Sequence, residues 1–466
     1  MRELRELENL TSVHTVILSE NNITKIEIPS MPNLKLLDLS SNNFSNVEDI
    51  SFKDSQIEEL RLDFNHVKNL KNTLFEQNPR LKVLRISTNP ITVISVLTSK
   101  TIEELYLNDI PLTYIKQESL VGLSRLKKLS LVNNKWFYTL NRNGPLILEQ
   151  LIVLNASNCH ITIVDVTRFP KLEILNLSHN DIFKIDEETF KNNSKLYNID
   201  LSNNLINSIE PDSFAATGKL AYLNLAGNKI KNLNWTPNLN NIINLNISHN
   251  EITDIFNLKL IKVRVLDLSN NKIDTMLHDL NSSLPKITHL NLKRNKIKNI
   301  NPIKSSSIEE LNLSSCKIVH VDEEAFKGLN SLKRLNLSDN KIKRINFAKH
   351  LLDLEELNLK ENVWDCDCME KDQIELFGNK NISLLDDVVC EPHGLTWEEF
   401  CRRKEEEEKE KKKLLLLQKI TVRESTKKGS VDTGWLAGGL VALILILIVS
   451  GVIIYRKRKN RRHLRK

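Results

Sequence analysis

Glycine and proline are scarce in this 466-residue chain, twelve of each, and aromatic residues make up only 5% of it. That mixture departs from a globular enzyme and suits an array that reuses a few residue types at fixed positions. Catalytic signatures are missing as well. There is no G-x-x-x-x-G-K-[ST], no H-E-x-x-H and no G-x-S-x-G, and none of the eleven histidines falls into a motif with a nucleophile or metal set. No enzymatic activity and no cofactor or metal are therefore expected. Basic charge is largely absent from the body of the chain. The net charge is +7, but residues 456–466 carry eight Lys or Arg and no acid, leaving −1 for residues 1–455. A nucleic-acid partner has little support on that balance. The N-terminus, MRELRELENLTS, has no apolar signal segment.

What fills the chain is repetition. The pattern LxxLxLxxNxL recurs in Leu34–Phe44, Leu172–Ile182, Val263–Ile273 and Leu332–Ile342, in sixteen copies from Val13 to Trp364 spaced 21 to 25 residues apart. The LxL segment alternates inward apolar and outward polar residues, the period of a short strand. One copy cannot bury its own leucines, so copies stack and share a core. The ninth position is Asn in thirteen copies, among them Asn42, Asn180, Asn228 and Asn340, with Cys159 and Cys316 in two and Ile110 as the one break. Its amide is suited to backbone groups left where the chain turns away from the strand. Longer copies add Phe52, Phe75, Phe190, Phe214 or Phe326 on the returning segment, read as a packing spine.

This pattern resembles the leucine-rich repeat. The resemblance implies an α/β-type solenoid: a curved horseshoe with a parallel β-sheet on its concave face and an irregular or short-helical convex side. Cys159 and Cys316 lie seven copies apart, on the order of 30 Å at about 4.8 Å per strand. They read as buried ladder thiols rather than a bridge or metal pair.

At Asn362 the last copy runs into NVWDCDC, followed by Cys390 and Cys401. This resembles the cysteine-rich C-terminal cap of extracellular animal leucine-rich-repeat proteins, such as Toll-type ectodomains and adhesion receptors. The family pairing joins Cys366 to Cys390 and Cys368 to Cys401. A zinc knuckle is the alternative use of four cysteines, but a site between a repeat array and an apolar span favours disulfides. The expected organisation is an array over 1–361, a cap over 362–401, a charged stalk over 402–434, a transmembrane helix over 435–455 and a basic cytoplasmic tail over 456–466. The span WLAGGLVALILILIVSGVIIY is uncharged and long enough to cross a bilayer, and the basic flank places the tail inside and the repeats outside. The tail has no room for a signalling domain. The missing signal segment and N-terminal cap lead to the expectation that the chain is truncated at its N-terminus.

Twelve Asn-x-Ser/Thr acceptors occur. Asn155, Asn176, Asn246, Asn312 and Asn336 follow from the L-N-L-S consensus itself. Asn9, Asn22, Asn43, Asn192, Asn234, Asn281 and Asn381 are the independent candidates for glycosylation.

The outward second, third and fifth positions line the expected binding face. The fifth is Asn or Asp in all ten copies from Asn155 to Asn358 but varies in the first six, where Tyr106 falls. Charge alternates from copy to copy at the second and third: Glu58/Glu59, Lys82, Glu103/Glu104, Lys127/Lys128, and again Glu309/Glu310, Lys333/Arg334, Glu355/Glu356. Such columns form weak lateral ion pairs that set stacking register. Between them stand Ile152, Val153, Ile174, Tyr197 and Tyr222, with Trp136, Phe137 and Tyr138 in the preceding turn, Trp136 expected to be buried. Exposed apolar clusters with a polar rim mark protein interfaces.

These features lead to a plasma-membrane, single-pass receptor or adhesion molecule. It is expected to bind a protein on another cell or in the matrix, with homodimer or co-receptor formation as further options. The alternative is an innate-immune receptor or co-receptor of Toll-like ectodomain type, and a lesser one is an intracellular scaffold.

Overall fold

The structure is a computed structural model that describes residues 12–52, 56–135, 137–138, 147–351, 354–365, 389–390 and 394–427. The chain divides into two compact units, residues 1–365 with 369–389, and residues 366–368 with 390–466.

The first unit is built on a 16-stranded parallel sheet whose strands follow one another in chain order, from Thr15–Ile17 to Glu356–Asn358. Each strand is three residues long and spans the third to fifth positions of one copy, so equivalent positions pair directly: Val153 with Ile174, Ile174 with Asn198, Asn198 with Tyr222. The apolar set of each copy is sealed, as with Leu172, Leu175, Leu177 and Ile182, all 1% exposed or less. Burying one such side chain contributes about 1.5–3 kcal/mol, which no copy achieves without neighbours on both sides.

Strands this short leave backbone polar groups that must be satisfied in the turn that follows. The ninth-position asparagines do this for both neighbouring copies. Asn228 Oδ1 accepts from Ile206 N of the preceding copy at 2.9 Å. Its Nδ2 donates to Leu201 O of that copy and Leu225 O of its own, both at 3.0 Å. The same geometry recurs at Asn42, Asn180 and Asn340. Where cysteine replaces asparagine, the thiol takes over only the donor part: Cys159 Sγ lies 3.2 Å from Leu131 O and Cys316 Sγ 3.1 Å from Leu292 O. Both are free and buried, and burial pushes both thiols up to about 11.

One further column was not foreseen, and the foreseen Asn/Asp column gains its physical reason. The eighth residue of all sixteen copies is left-handed, with φ between 52° and 61° in fifteen non-glycine residues and 69° at Gly227. This conformation costs an ordinary L-residue about 1–2 kcal/mol. It persists because the residue's N–H continues the ladder, as from Thr88 to Asn108 O at 2.8 Å. At the fifth position, the Asn or Asp oxygen accepts from the N–H two residues on, at 3.0 Å in both Asn176 and Asn246. That local turn is the physical reason for the uniform Asn/Asp column.

Behind the sheet the chain returns through two-residue and three-residue parallel pairs and short helices such as Thr73–Gln77 and Gln117–Val121. Phe190, Phe214 and Trp235 stack in series at 5.5 and 5.7 Å, and Phe326 meets Phe347 at 5.6 Å, forming the expected spine. Phe75 is buried in the same layer and Phe52 is half-buried. Gly328 allows close approach there, since a Cβ would sit 2.5 Å from Ile303 O.

In the second unit, residues Trp397–Lys427 form one 31-residue helix. Thr396 and Glu399 open it reciprocally, Thr396 Oγ1 accepting from Glu399 N and Glu399 Oε2 from Thr396 N. Cys390 and Cys401 are buried and disulfide-bonded, and Cys401 stands inside the helix, which therefore crosses the expected cap–stalk boundary. Cys366 and Cys368 lie outside the described residues. Among the described residues no helix is long and apolar enough to cross a membrane. The expected span at 435–455 and the tail at 456–466 lie outside them.

Two outcomes follow. Asn228→Ala strands the buried Ile206 N–H, while Leu201 C=O keeps its bond from Asn204 Nδ2, and is expected to cost about 1–3 kcal/mol in denaturant unfolding, whereas Thr88→Asn relieves the left-handed strain and gains about 0.5–1 kcal/mol. Because burial disfavours the thiolate, Cys159 and Cys316 should resist iodoacetamide at pH 8 in the native protein. Both should be alkylated in denaturant, as read by peptide mass spectrometry.

Candidate protein-binding face

The second, third and fifth side chains of each copy stand on the solvent side of the sheet. Most of its charges are mutually paired. Glu58 lies 2.6 Å from Lys82 and 3.7 Å from Lys35. Lys127 meets Glu103 at 2.9 Å, and Lys333 meets Glu309 at 2.8 Å. The Lys82 and Lys333 hydrogen bonds hold the Glu58 and Glu309 carboxyls below their usual range. Glu310 bridges Arg334 and His289, whose Nε2 lies 3.2 Å away. This trio lines a shallow hollow of about 300 Å³ that sequence reasoning, which placed no histidine in a motif, did not anticipate. With acid and base satisfying each other, the charged zones serve register, as expected.

Tyr106 differs from the expectation of an exposed contact. It is only 8% exposed, its hydroxyl donates to Glu104 Oε2 at 2.5 Å, and its ring is flanked by Arg85 at 4.1 Å and Lys128 at 5.2 Å. Long basic side chains on the two adjacent strands cover the ring, so it joins the charge columns rather than offering surface.

The middle of the face is apolar and open. Ile174 is 40% exposed, Tyr197 46% and Tyr222 38%, while Ile152 and Val153 are half-buried beside them. Tyr197 and Tyr222 meet edge to face at 5.2 Å, and their hydroxyl contact raises the Tyr197 phenol above its ordinary range. Such packing fixes two large side chains in advance of binding, lowering the entropy lost on association. Ile243, also exposed, extends the cluster by one copy. Reading the second position of that copy would have found it. In the preceding turn Phe137 is buried and Tyr138 exposed against His160, whereas Trp136 lies outside the described residues.

Of the independent glycosylation candidates, Asn22, Asn192, Asn234 and Asn281 are exposed and Asn43 is half-buried. Asn9 and Asn381 lie outside the described residues. Among the described residues no group of three or more His, Cys, Asp or Glu is placed to hold a metal ion.

Comparison with known proteins agrees with this architecture. The family description "Leucine rich repeat" matches residues 170–230 and 306–363, and "Leucine Rich repeats (2 copies)" matches residues 11–53. Human fibromodulin is 32% identical over 181 residues, 38% of this chain and 43% of fibromodulin. The chain thus spans less than half the length of that relative. Rabbit fibromodulin is 34% identical over 113 residues, 24% of this chain and 73% of the relative. Among solved structures, a leucine-rich-repeat protein of Leptospira interrogans superposes with a TM-score of 0.64 at 25% identity, covering 82% of this chain and 98% of its own. Drosophila Toll, solved in complex with Spätzle, superposes at 0.51 with 17% identity, covering 85% of this chain and 78% of its own, a likeness of fold alone.

The two kinds of aromatic should separate experimentally. Tyr106→Leu removes its ring contacts and is expected to cost about 1–2 kcal/mol in thermal unfolding, while Ile174→Asp, on open surface, should stay within about 0.5 kcal/mol.

Proposed function

The chain belongs to the leucine-rich repeat family, and from that premise we propose that it is a cell-surface protein-binding receptor or adhesion molecule. The solvent face of its sheet carries the contact. The observation behind this reading is the open cluster of Ile174, Tyr197, Tyr222 and Ile243. Exposed aromatic and aliphatic side chains held by a regular scaffold are the typical core of a protein interface. The flanking columns, already neutralised by their own ion pairs, form a polar rim that needs no counter-charge from the partner. The bonded Cys390 and Cys401 support an oxidising compartment. The apolar run at 435–455 with the basic flank at 456–466 supports a single-pass anchor with the repeats outside. The partner is then a protein on a neighbouring cell or in the matrix.

Full-length protein with an epitope tag inserted before Met1 tests this. The tag should be accessible on intact cells. Cells displaying the protein should adhere to one another or to a matrix-protein array. Ile174→Asp with Tyr197→Asp should abolish that adhesion at unchanged surface level. Adhesion unaffected by the double substitution would remove the assignment of the face, and a tag reached only after permeabilisation would remove the topology.

A further inference from the structure

A second surface differs from the sheet face in both chemistry and position. It lies in the turns that follow the strands His289–Asn291, Glu310–Asn312 and Arg334–Asn336. The first turn carries Arg294, Lys296 and Lys298, the second Lys317, and the third Lys341, Lys343 and Arg344, and all seven are exposed. The backbone holds them in consecutive layers. Lys296 N donates to Ile273 O and Lys341 N to Ile318 O, both at 2.7 Å, while Lys298 O accepts from Val319 N at 2.8 Å. Successive layers lie about 4.8 Å apart, the spacing of neighbouring strands.

None of the seven is paired with a carboxylate among the described residues, whereas in the same three copies the sheet-face cations Lys333 and Arg334 are paired with Glu309 and Glu310. Asp339 is the one acid at the eighth, tenth or twelfth position of these turns. Acids at Asp274 and at Glu361 and Asp365 bound the strip on either side. Unneutralised like charges in a line create a potential that a linear polyanion would relieve by displacing counterions.

We propose that this strip binds a sulfated polysaccharide. Three observations choose that polyanion. Five of the seven cations are lysines, compact point charges suited to dispersed sulfate groups, where planar bidentate recognition favours arginine. No Phe, Tyr or Trp is exposed between Arg294 and Arg344, where His320 is the one exposed ring, so no platform of successive stacking rings like that of single-stranded nucleic-acid binders is present. The disulfide-bonded cysteines place the chain where the abundant polyanions are polysaccharides rather than nucleic acids. The surface is distinct from the apolar cluster, and its occupancy leaves the protein-binding face free.

The test uses the full chain in nonionic detergent, with the eight Lys and Arg of residues 456–466 changed to Gln so that the tail contributes nothing. Affinity for immobilised heparin is measured from 0.1 to 0.5 M salt. Lys296→Ala, Lys298→Ala, Lys341→Ala and Lys343→Ala combined should weaken binding at 0.15 M at least tenfold. They should also reduce the slope of log affinity against log salt by about 3, taking the 0.7–0.9 per contact found for nucleic-acid polyanions. The control Lys82→Ala with Lys127→Ala, which removes paired cations, should change affinity less than twofold. No retention of the parent at 0.15 M, an unchanged quadruple variant, or equal competition by duplex DNA at matched charge would each overturn the proposal. Circular dichroism verifies folding, and the single charge reversal Lys341→Glu, with an expected loss of at least threefold, serves if the quadruple variant unfolds.

Discussion

Everything in the array depends on how a three-residue strand disposes of its backbone hydrogen bonds once the strand ends. The buried amide at the ninth position does so for two copies at once, accepting from one N–H and donating to carbonyls on both sides of the layer boundary. That single group fixes the vertical register, because a shifted copy would leave an N–H such as that of Ile206 orphaned in an apolar core. Register in turn fixes which side chains become lateral neighbours, and the solvent face follows from that. Lys82 reaches Glu58, Tyr222 meets Tyr197, and Arg85 and Lys128 close over Tyr106 because the amide column has set those strands in line.

The parts of the fold tied to one residue type were legible in the sequence. Leucine at the inward positions, asparagine at the ninth and alternating charge at the second and third each carry a chemical requirement that only a few side chains meet. The left-handed eighth position was only partly legible, because the ladder imposes its conformation on every residue found there. Gly227 and the six Asn or Asp residues at this position give the usual signal, but Glu20, Phe64 and Arg294 share no property that announces a positive φ. Position along the strand placed Tyr106 outward, but whether an outward ring is open depends on the residues one copy away in both directions. Tyr197 and Tyr222 remain open beside short or polar neighbours, whereas Tyr106 is covered by two long cations.

The basic strip shows a different reason for illegibility. Summing charge over residues 1–455 cancels a local excess of lysine in three turns against acids that lie elsewhere, many of them on the sheet. Only the fold separates these populations, sending second- and third-position charges to one surface and tenth- and twelfth-position charges to another. The chain therefore carries two surfaces of opposite character, one neutralised around an apolar centre and one left charged.

The parallel sheet also determines how the molecule is assembled in time. Each strand pairs only with the copies immediately before and after it, as Thr15 with Leu36 and Arg334 with Glu356, so partners are separated by little more than twenty residues in a chain of 466. An all-parallel sheet ordinarily joins distant segments and forms slowly. Here the loop to be closed is the same short one at every step, and order can spread from any pair of copies that forms first. Burial of Cys159 and Cys316 then becomes a matter of local propagation, each withdrawn from disulfide exchange when its own neighbours dock, without waiting for the rest of the array.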